Sequence, residues 1–216
     1  MAAVETRFAH VRIVVFARAP IPGQVKTRLQ LDPAAAARLH EAFVRDTLEM
    51  LATFPDVELS TDIATEAWKE YPIARSLQCP GDLGARLYAA IDGALRGGCR
   101  RVLILGSDSP SLPARHVRSL LDSAAEVALG PTDDGGFYGI ASSRAVPGMF
   151  HGVEWSSPRT LESTVRALTA AGLRVKLGPR WFDIDEPADL ERLERSAEPA
   201  PHSRAVRRRP ETQVHL

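Results

Sequence analysis

Val11-Arg12-Ile13-Val14-Val15-Phe16-Ala17 is a β-branched run, apolar at nearly every position, and it leads into Ala19-Pro20-Ile21-Pro22-Gly23-Gln24-Val25-Lys26-Thr27-Arg28-Leu29. The first segment reads as a strand buried on both faces, the habit of a parallel sheet covered by helices on each side. The second reads as a stiff strand-end loop with one glycine and two cations spaced two apart. Pro33 then opens a helical pattern that runs to Leu51. The alternation continues outward from there. Val57 to Ile63 reads as a strand, and Leu83 to Leu95 as a helix capped by Asp82 and stopped by Gly97-Gly98. Arg101 to Gly106 is a buried strand, Leu112 to Leu121 a helix, and Val127 to Leu129 and Gly136 to Ala141 are short strands. Ser157 to Ala171 is a helix, Leu173 to Leu177 a strand, and Pro187 to Leu193 a closing helix. Strands alternating with helices predict an α/β domain with a mostly parallel sheet.

A chain of 216 residues with 44% hydrophobic residues is enough for one domain with a real core. Its 27 Lys+Arg balance 27 Asp+Glu, which excludes the broad basic field of a non-specific nucleic-acid binder. The longest apolar runs are five residues, far short of the ~20 that span a bilayer, so no membrane partner is expected. No apolar leader core precedes Val11, and a cytoplasmic location is the expectation. Cys79 and Cys99 have no CxxC or zinc-site spacing and read as ordinary residues. The organisation expected is an N-terminal extension over 1–10, a catalytic domain over 11–195, and a Pro/Arg-rich tail over 196–216. Pro199, Pro201, Pro210 and Arg207-Arg208-Arg209 replace the apolar periodicity there, so the tail is expected to be disordered and solvated.

Ligands of doubly wound sheets bind at the carboxyl ends of strands, so the loops there carry the functional reading. Gly23 lets backbone approach a ligand, and Lys26 and Arg28 can offset the charge of a di- or triphosphate; with 24 Arg to 3 Lys, Lys26 stands out. The alternative is an ordinary turn with exposed cations. A P-loop is excluded because Val25 precedes Lys26, and no GxGxxG follows the first strand, so nicotinamide chemistry is disfavoured. Gly106-Ser107-Asp108-Ser109-Pro110 puts a carboxylate where the sheet opens. Gly130-Pro131-Thr132-Asp133-Asp134-Gly135-Gly136-Phe137-Tyr138-Gly139 adds two carboxylates beside a Gly-Gly pair that would admit a bulky ligand, although a plain hairpin reads the same way. In Asp183-Ile184-Asp185-Glu186-Pro187 one aspartate caps the next helix and the other is left for a metal. Hard oxygen ligands facing a basic loop suit Mg²⁺ or Mn²⁺ on phosphate oxygens.

Phe137, Tyr138 and Trp155 are candidates to stack on a sugar or base, with core packing the commoner fate. Trp155 stands first because a helix N-terminus, able to hold an anion, follows it. Arg86 would reach phosphate or pair with Asp82. The six histidines show no ligand spacing. A catalytic base, where one is needed, is Asp134.

Taken together, Pro20-x-Pro22-Gly23-x-x-Lys26-Thr27-Arg28-Leu29, Gly81-Asp82-Leu83-Gly84-x-Arg86, Gly106-Ser107-Asp108-Ser109-Pro110, Gly130-Pro131-x-x-Asp134-Gly135-Gly136 and Asp183-Ile184-Asp185-x-Pro187-x-Asp189-Leu190 resemble the signatures of bacterial GT-A-like transferases. These are filed as arsenosugar-biosynthesis-type glycosyltransferases, and the fold is similar to that of the 2-phospholactate and molybdenum-cofactor guanylyltransferases. The resemblance implies a single three-layer, Rossmann-like nucleotide-diphospho-sugar transferase domain. It implies that Pro22, Gly23, Lys26, Thr27, Arg28, Gly81, Asp82 and Arg86 meet nucleotide phosphates and that Gly135, Gly136, Phe137 and Trp155 meet substrate. Asp108 would be the main metal ligand, completed by Asp183 or Asp185, with Asp108, Asp134 and Lys26 carrying the chemistry. Many GT-A enzymes have Asp-x-Asp where this chain has Ser107-Asp108-Ser109. The expected activity is metal-dependent transfer from a nucleotide sugar to a small-molecule acceptor. The alternative is a guanylyltransferase-like transfer of NMP from an NTP to a phosphorylated acceptor, which Lys26 and Arg28 favour; a non-catalytic metabolite sensor is a third.

Overall fold

The computed structural model describes residues 10–208. One seven-stranded sheet runs through the domain in the order β3-β2-β1-β4-β6-β5-β7. Its strands are β1 (Val11–Ala17), β2 (Val57–Thr61), β3 (Ala74–Leu77), β4 (Arg101–Gly106), β5 (Val127–Pro131), β6 (Phe137–Ser142) and β7 (Val175–Leu177). Every pairing is parallel except those of β6, which lies antiparallel to β4 and β5. The helices are α1 (Pro33–Leu51), α2 (Leu83–Arg96), α3 (Ala114–Leu121), α4 (Thr160–Ala170), α5 (Pro187–Arg195) and α6 (Pro201–Arg207). The predicted α/β sheet is therefore the observed one.

Strand β1 shows why the fold has three layers. Ile13, Val15 and Ala17 pack with Val44, Leu48 and Leu51 of α1 and with Val117, Leu120 and Leu121 of α3. Val14 faces the other way, against Leu87, Ile91 and Ala94 of α2 and Leu168 of α4. Successive side chains of a strand alternate faces, so a run with no polar interruption needs a helix layer on each side. A third cluster joins Leu29, Leu39 and Phe43 to Phe182, Ile184, Leu190 and Leu193, tying the loop after β1 to α5.

Helix starts follow local chemistry. Asp32 accepts the amides of Ala34 and Ala35 ahead of α1, and Asp82 accepts that of Ala85 ahead of α2. At α5 the cap is Glu186, in a reciprocal box with Asp189. Neither Asp183 nor Asp185 is spent on capping, a correction to the sequence expectation.

The expected disordered tail is also corrected. Residues 197–208 continue the domain, and α6 docks on α1. The carboxylate of Asp46, itself buried, accepts the amides of His202 and Ser203 at 2.9 Å each and the Ser203 hydroxyl. Arg204 donates to the carbonyls of Leu193, Ser196 and Glu198. This anchor is polar, and apolar periodicity carries no trace of it. Residues 209–216, and all but His10 of the expected extension over 1–10, lie outside the described residues. Strand β3 was also missed; it is a short, largely exposed edge.

Because β1 pairs with β2 on one side and β4 on the other, the chain order reverses between β1 and β4. A crevice forms at such a reversal, outside the carboxyl ends of the strands. The loop carrying Lys26 leaves β1 there, and Asp108 follows β4.

Candidate functional site

A cleft of about 1170 Å³ opens at this reversal. Of the residues chosen from sequence, Lys26, Thr27, Arg28, Arg86, Asp108, Asp134, Asp183 and Asp185 line it. The sheet brings the loops after β1 and β4 together, and backbone bonds lock the segment before α5 against them: the Ile184 amide donates to the Asp108 carbonyl at 2.8 Å.

Lys26 is the most constrained side chain of the group. Its backbone sits at φ 51, the left-handed region that a non-glycine residue occupies at some cost, and it heads the short 3-10 turn Thr27–Leu29. The side chain is 5% exposed. Its ammonium reaches Asp108 Oδ1 at 2.7 Å, Asp185 Oδ1 at 3.0 Å and the Ile184 carbonyl at 2.6 Å, which uses all three of its N–H bonds. The Phe43 ring lies beneath, 5.4 Å from Nζ to the centroid. Burial works against the ammonium, but the two carboxylates more than compensate and hold its pKa above the ordinary value. Lys26 was expected to face phosphate across from the acidic residues; the structure places it between two of them.

Arg28 pairs with the other oxygen of Asp185, but from the surface, with its side chain 64% exposed. Both oxygens of Asp185 thus carry a cation from the β1 loop.

Asp185 also borders two further carboxylates. Asp134, Asp183 and Asp185 each offer a carboxylate oxygen, and these oxygens lie within 4.8 Å of one another. Asp134 is steadied by the Thr132 hydroxyl at 2.5 Å and the Gly136 amide at 2.9 Å, both on Oδ1. Burial, reinforced by the charges of Asp134 and Asp185, pushes Asp183 up to about 7. Asp108 behaves oppositely: burial alone would raise it, but the Lys26 ammonium holds it below the usual carboxylate range. Asp108, expected as the main metal ligand, is the partner of Lys26 and stands outside this trio. Three hard oxygen donors at this spacing fit a divalent cation such as Mg²⁺ or Mn²⁺.

Several expected residues serve the scaffold instead. Pro22, Gly23, Gly81, Asp82, Gly135, Gly136, Phe137 and Trp155 are not among the residues lining the cleft. Asp82 caps α2, and Arg86 bonds the Gly81 carbonyl and Gln78 Oε1 rather than the Asp82 side chain. At Gly135, φ is +88 and a Cβ would stand 2.0 Å from the Pro158 carbonyl oxygen. The close approach that Gly-Gly permits is therefore made by the protein's own backbone. Trp155 packs on Phe137 and Phe150, at 6.5 and 6.0 Å between ring centroids. Several amides after it are taken by the protein itself, Leu161 N–H by the Gly135 carbonyl, Thr160 N–H by the Ser157 carbonyl and Ser157 N–H by the Thr160 hydroxyl.

Sequence reasoning missed Gln78, His40, Arg192 and Ser156, all on the cleft wall. His40 is 3% exposed, and its Nε2 lies 3.0 Å from the Arg18 carbonyl, which makes Nε2 the N–H donor. Its Nδ1 is a buried acceptor with no hydrogen-bond partner among the described residues. Arg192 lies over the Phe182 ring at 4.0 Å and bonds Asp133 at 2.6 Å. None of these positions has a spacing signal; each is brought in by a helix face or a loop return.

Comparison with known proteins bears on the family and the fold. The profile of a family described as "Uncharacterized protein conserved in bacteria (DUF2064)" matches residues 23–157, which include Lys26, Asp108 and Asp134. No curated protein matches the chain. A solved protein from Desulfovibrio desulfuricans G20, provisionally named a nucleotide-diphospho-sugar transferase, is 28% identical with a TM-score of 0.78, covering 94% of this chain and 92% of that one. The CMP:2-keto-3-deoxy-manno-octonic acid synthetase solved with CTP is 16% identical with a TM-score of 0.54, covering 85% and 96%. A cytidylyltransferase from Leptospira borgpetersenii is 14% identical with a TM-score of 0.53, covering 86% and 85%. The fold is the nucleotide-diphospho-sugar transferase fold, and by fold the chain is a transferase. Among the described residues no helix is long and apolar enough to cross a membrane.

Proposed function

The chain belongs to the bacterial DUF2064 family, and from that premise we propose that it is a divalent-cation-dependent glycosyltransferase moving a sugar from a nucleotide-sugar donor to a small-molecule acceptor. The observation that carries the reading is the convergence of Asp134, Asp183 and Asp185 beside Arg28 in the cleft at the chain reversal. Asp183 and Asp185 would hold Mg²⁺ or Mn²⁺, with Asp134 beside them at the exposed edge. The cation would there offset charge on the departing diphosphate.

The residues of the chain divide the remaining work. Arg28 and Arg86 face the phosphates as guanidinium donors. Lys26 and Asp108 hold Asp185 in register, the ammonium fixing the carboxylate that must turn to the cation. For a hydroxyl acceptor, Asp134 is the carboxylate that takes the proton: its Oδ1 is held by Thr132 and Gly136, which orients Oδ2.

Nucleotidyl transfer is the second reading, supported by the likeness to cytidylyltransferases. It calls for dense positive charge around a triphosphate, and the commitment of all three Lys26 N–H bonds to protein acceptors counts against it. Calorimetry with UDP-, GDP- and ADP-sugars against GTP, CTP and ATP, each with and without Mn²⁺, separates the two. Metal-dependent tightening of one nucleotide sugar, with release of a nucleoside diphosphate on turnover, is expected. A preference for one NTP, with pyrophosphate as product, would overturn sugar transfer in favour of nucleotidyl transfer.

A further inference from the structure

Lys26 and Arg28 hold the same carboxylate under very different conditions. The Lys26 ammonium is buried, and every one of its N–H bonds ends on a protein oxygen. Removing it would leave Asp108 without a cation and empty a buried position, a costly step. Arg28 reaches Asp185 through one nitrogen, NH2, from a side chain that is 64% exposed. Exposed pairs of this kind are worth about 0–1 kcal/mol and yield readily to a competitor.

Asp185 belongs to the acidic trio, and both its oxygens already carry a cation, Oδ1 that of Lys26 and Oδ2 that of Arg28, so a divalent ion that takes Asp185 competes with one of the two, and the exposed Arg28 is the one that can yield. On the same cleft wall, the buried Nδ1 of His40 is an acceptor without a hydrogen-bond partner among the described residues.

We propose that Arg28 is an exchange residue: it neutralises Asp185 until a divalent cation takes that carboxylate, and it then swings to the phosphates of the nucleotide. Lys26 stays fixed throughout. The consequence is positive coupling between cation and diphosphate, and by linkage the coupling is reciprocal. The inference rests on the cation reading above, and its test separates the two.

The test is calorimetric titration of the full chain with Mn²⁺ alone, then with Mn²⁺ in the presence of a nucleoside diphosphate such as GDP or UDP, for wild type, Arg28→Gln and Arg192→Gln. Arg192 is a second cleft cation, paired with Asp133 rather than Asp185, and controls for simple loss of positive charge. Arg28→Gln is expected to bind Mn²⁺ alone about two- to five-fold tighter than wild type, the worth of an exposed ion pair. It should also lose most of the wild-type enhancement of Mn²⁺ binding by the diphosphate, while Arg192→Gln changes neither. Equal tightening in both variants, or undiminished enhancement in Arg28→Gln, would overturn the exchange and leave the cation site standing. Absence of Mn²⁺ uptake by wild type under every condition would overturn the cation reading and the exchange with it. Melting temperatures of the three proteins confirm that each is folded.

Discussion

Asp108, following β4, and Asp183, ahead of α5, face one cleft under opposite electrostatic conditions. A buried lysine built into the β1 loop keeps Asp108 ionised. Asp183 is half-buried among Asp134, Asp185 and Asp108, and it is pushed up to about 7. The difference separates two uses of a strand-end carboxylate. Asp108 has a cation of the chain on it, whereas Asp183 has none and is surrounded by other carboxylates, the setting that the proposed function reads as a place for a cation from outside.

The sharpest way to break the comparison is to neutralise each carboxylate in turn. Asp183→Asn is expected to lower turnover by about a hundredfold or more, in the range seen when a principal electrostatic stabiliser is lost. It should also abolish Mn²⁺ binding in calorimetry and raise the melting temperature measured before metal is added. Asp108→Asn should retain Mn²⁺ binding and lose stability instead. If Asp108→Asn lost Mn²⁺ and Asp183→Asn kept it, the two roles would be reversed.

Removing the internal cation comes next in size. Lys26→Met leaves Asp108 without its cation and Asp185 with Arg28 alone; with the lysine buried but the carboxylates only partly so, the cost is near the low end of the about 3–5 kcal/mol for breaking a buried pair. For a chain of this length each kcal/mol is roughly 2–4 °C, so a loss of about 10 °C in a thermal melt is expected, partly restored by millimolar Mn²⁺.

A smaller effect is the pH dependence, and its sign differs between the two aspartates. The folded state holds the Asp183 proton up to about 7, whereas the unfolded chain releases it near 4. Between those values the native state binds more protons, so this group's contribution to stability falls as pH rises. Over the same window Mn²⁺ affinity should climb as the carboxylate becomes available, levelling above pH 7. Asp108, with a lowered pKa, contributes stability above its unfolded value that is lost only as pH falls through its folded one. Melting curves from pH 4 to 8 for wild type and Asp183→Asn should diverge towards neutral pH; parallel curves would contradict the assignment.

Smallest is the turn that carries Asp134. Thr132→Val removes one hydroxyl from Asp134 Oδ1, and a loss of about 1 kcal/mol is expected, with a few-fold reduction in turnover measured under saturating Mn²⁺.

How much of this was legible in the sequence follows from the physics of each part. The α/β alternation and the caps at Asp32-Pro33 and Asp82 are local, and a single strand such as Val11–Ala17 announces burial on two faces. The strand-end residues Lys26, Asp108, Asp134, Asp183 and Asp185 could be placed on one cleft because doubly wound sheets put such loops together. Which acid would meet which cation was not legible: the Lys26 ammonium crosses to Asp185 over 159 positions of chain, and its left-handed backbone has no sequence signature. Trp155 and the Gly135-Gly136 pair illustrate the opposite failure. Aromatic and glycine residues beside a site suit a ligand and a packed turn equally, and here Phe150 and the Pro158 carbonyl take the places assigned to substrate. Docking of α6 depends on the buried carboxylate of Asp46, which no periodicity reports.

The most direct measurement is anomalous diffraction from crystals soaked in Mn²⁺. A single peak within coordination distance of carboxylate oxygens of Asp183 and Asp185, with Lys26 still on Asp108, is the predicted result. A peak bridging Asp108 with the Lys26 side chain displaced, or none at the acidic trio at saturating Mn²⁺, would contradict the account.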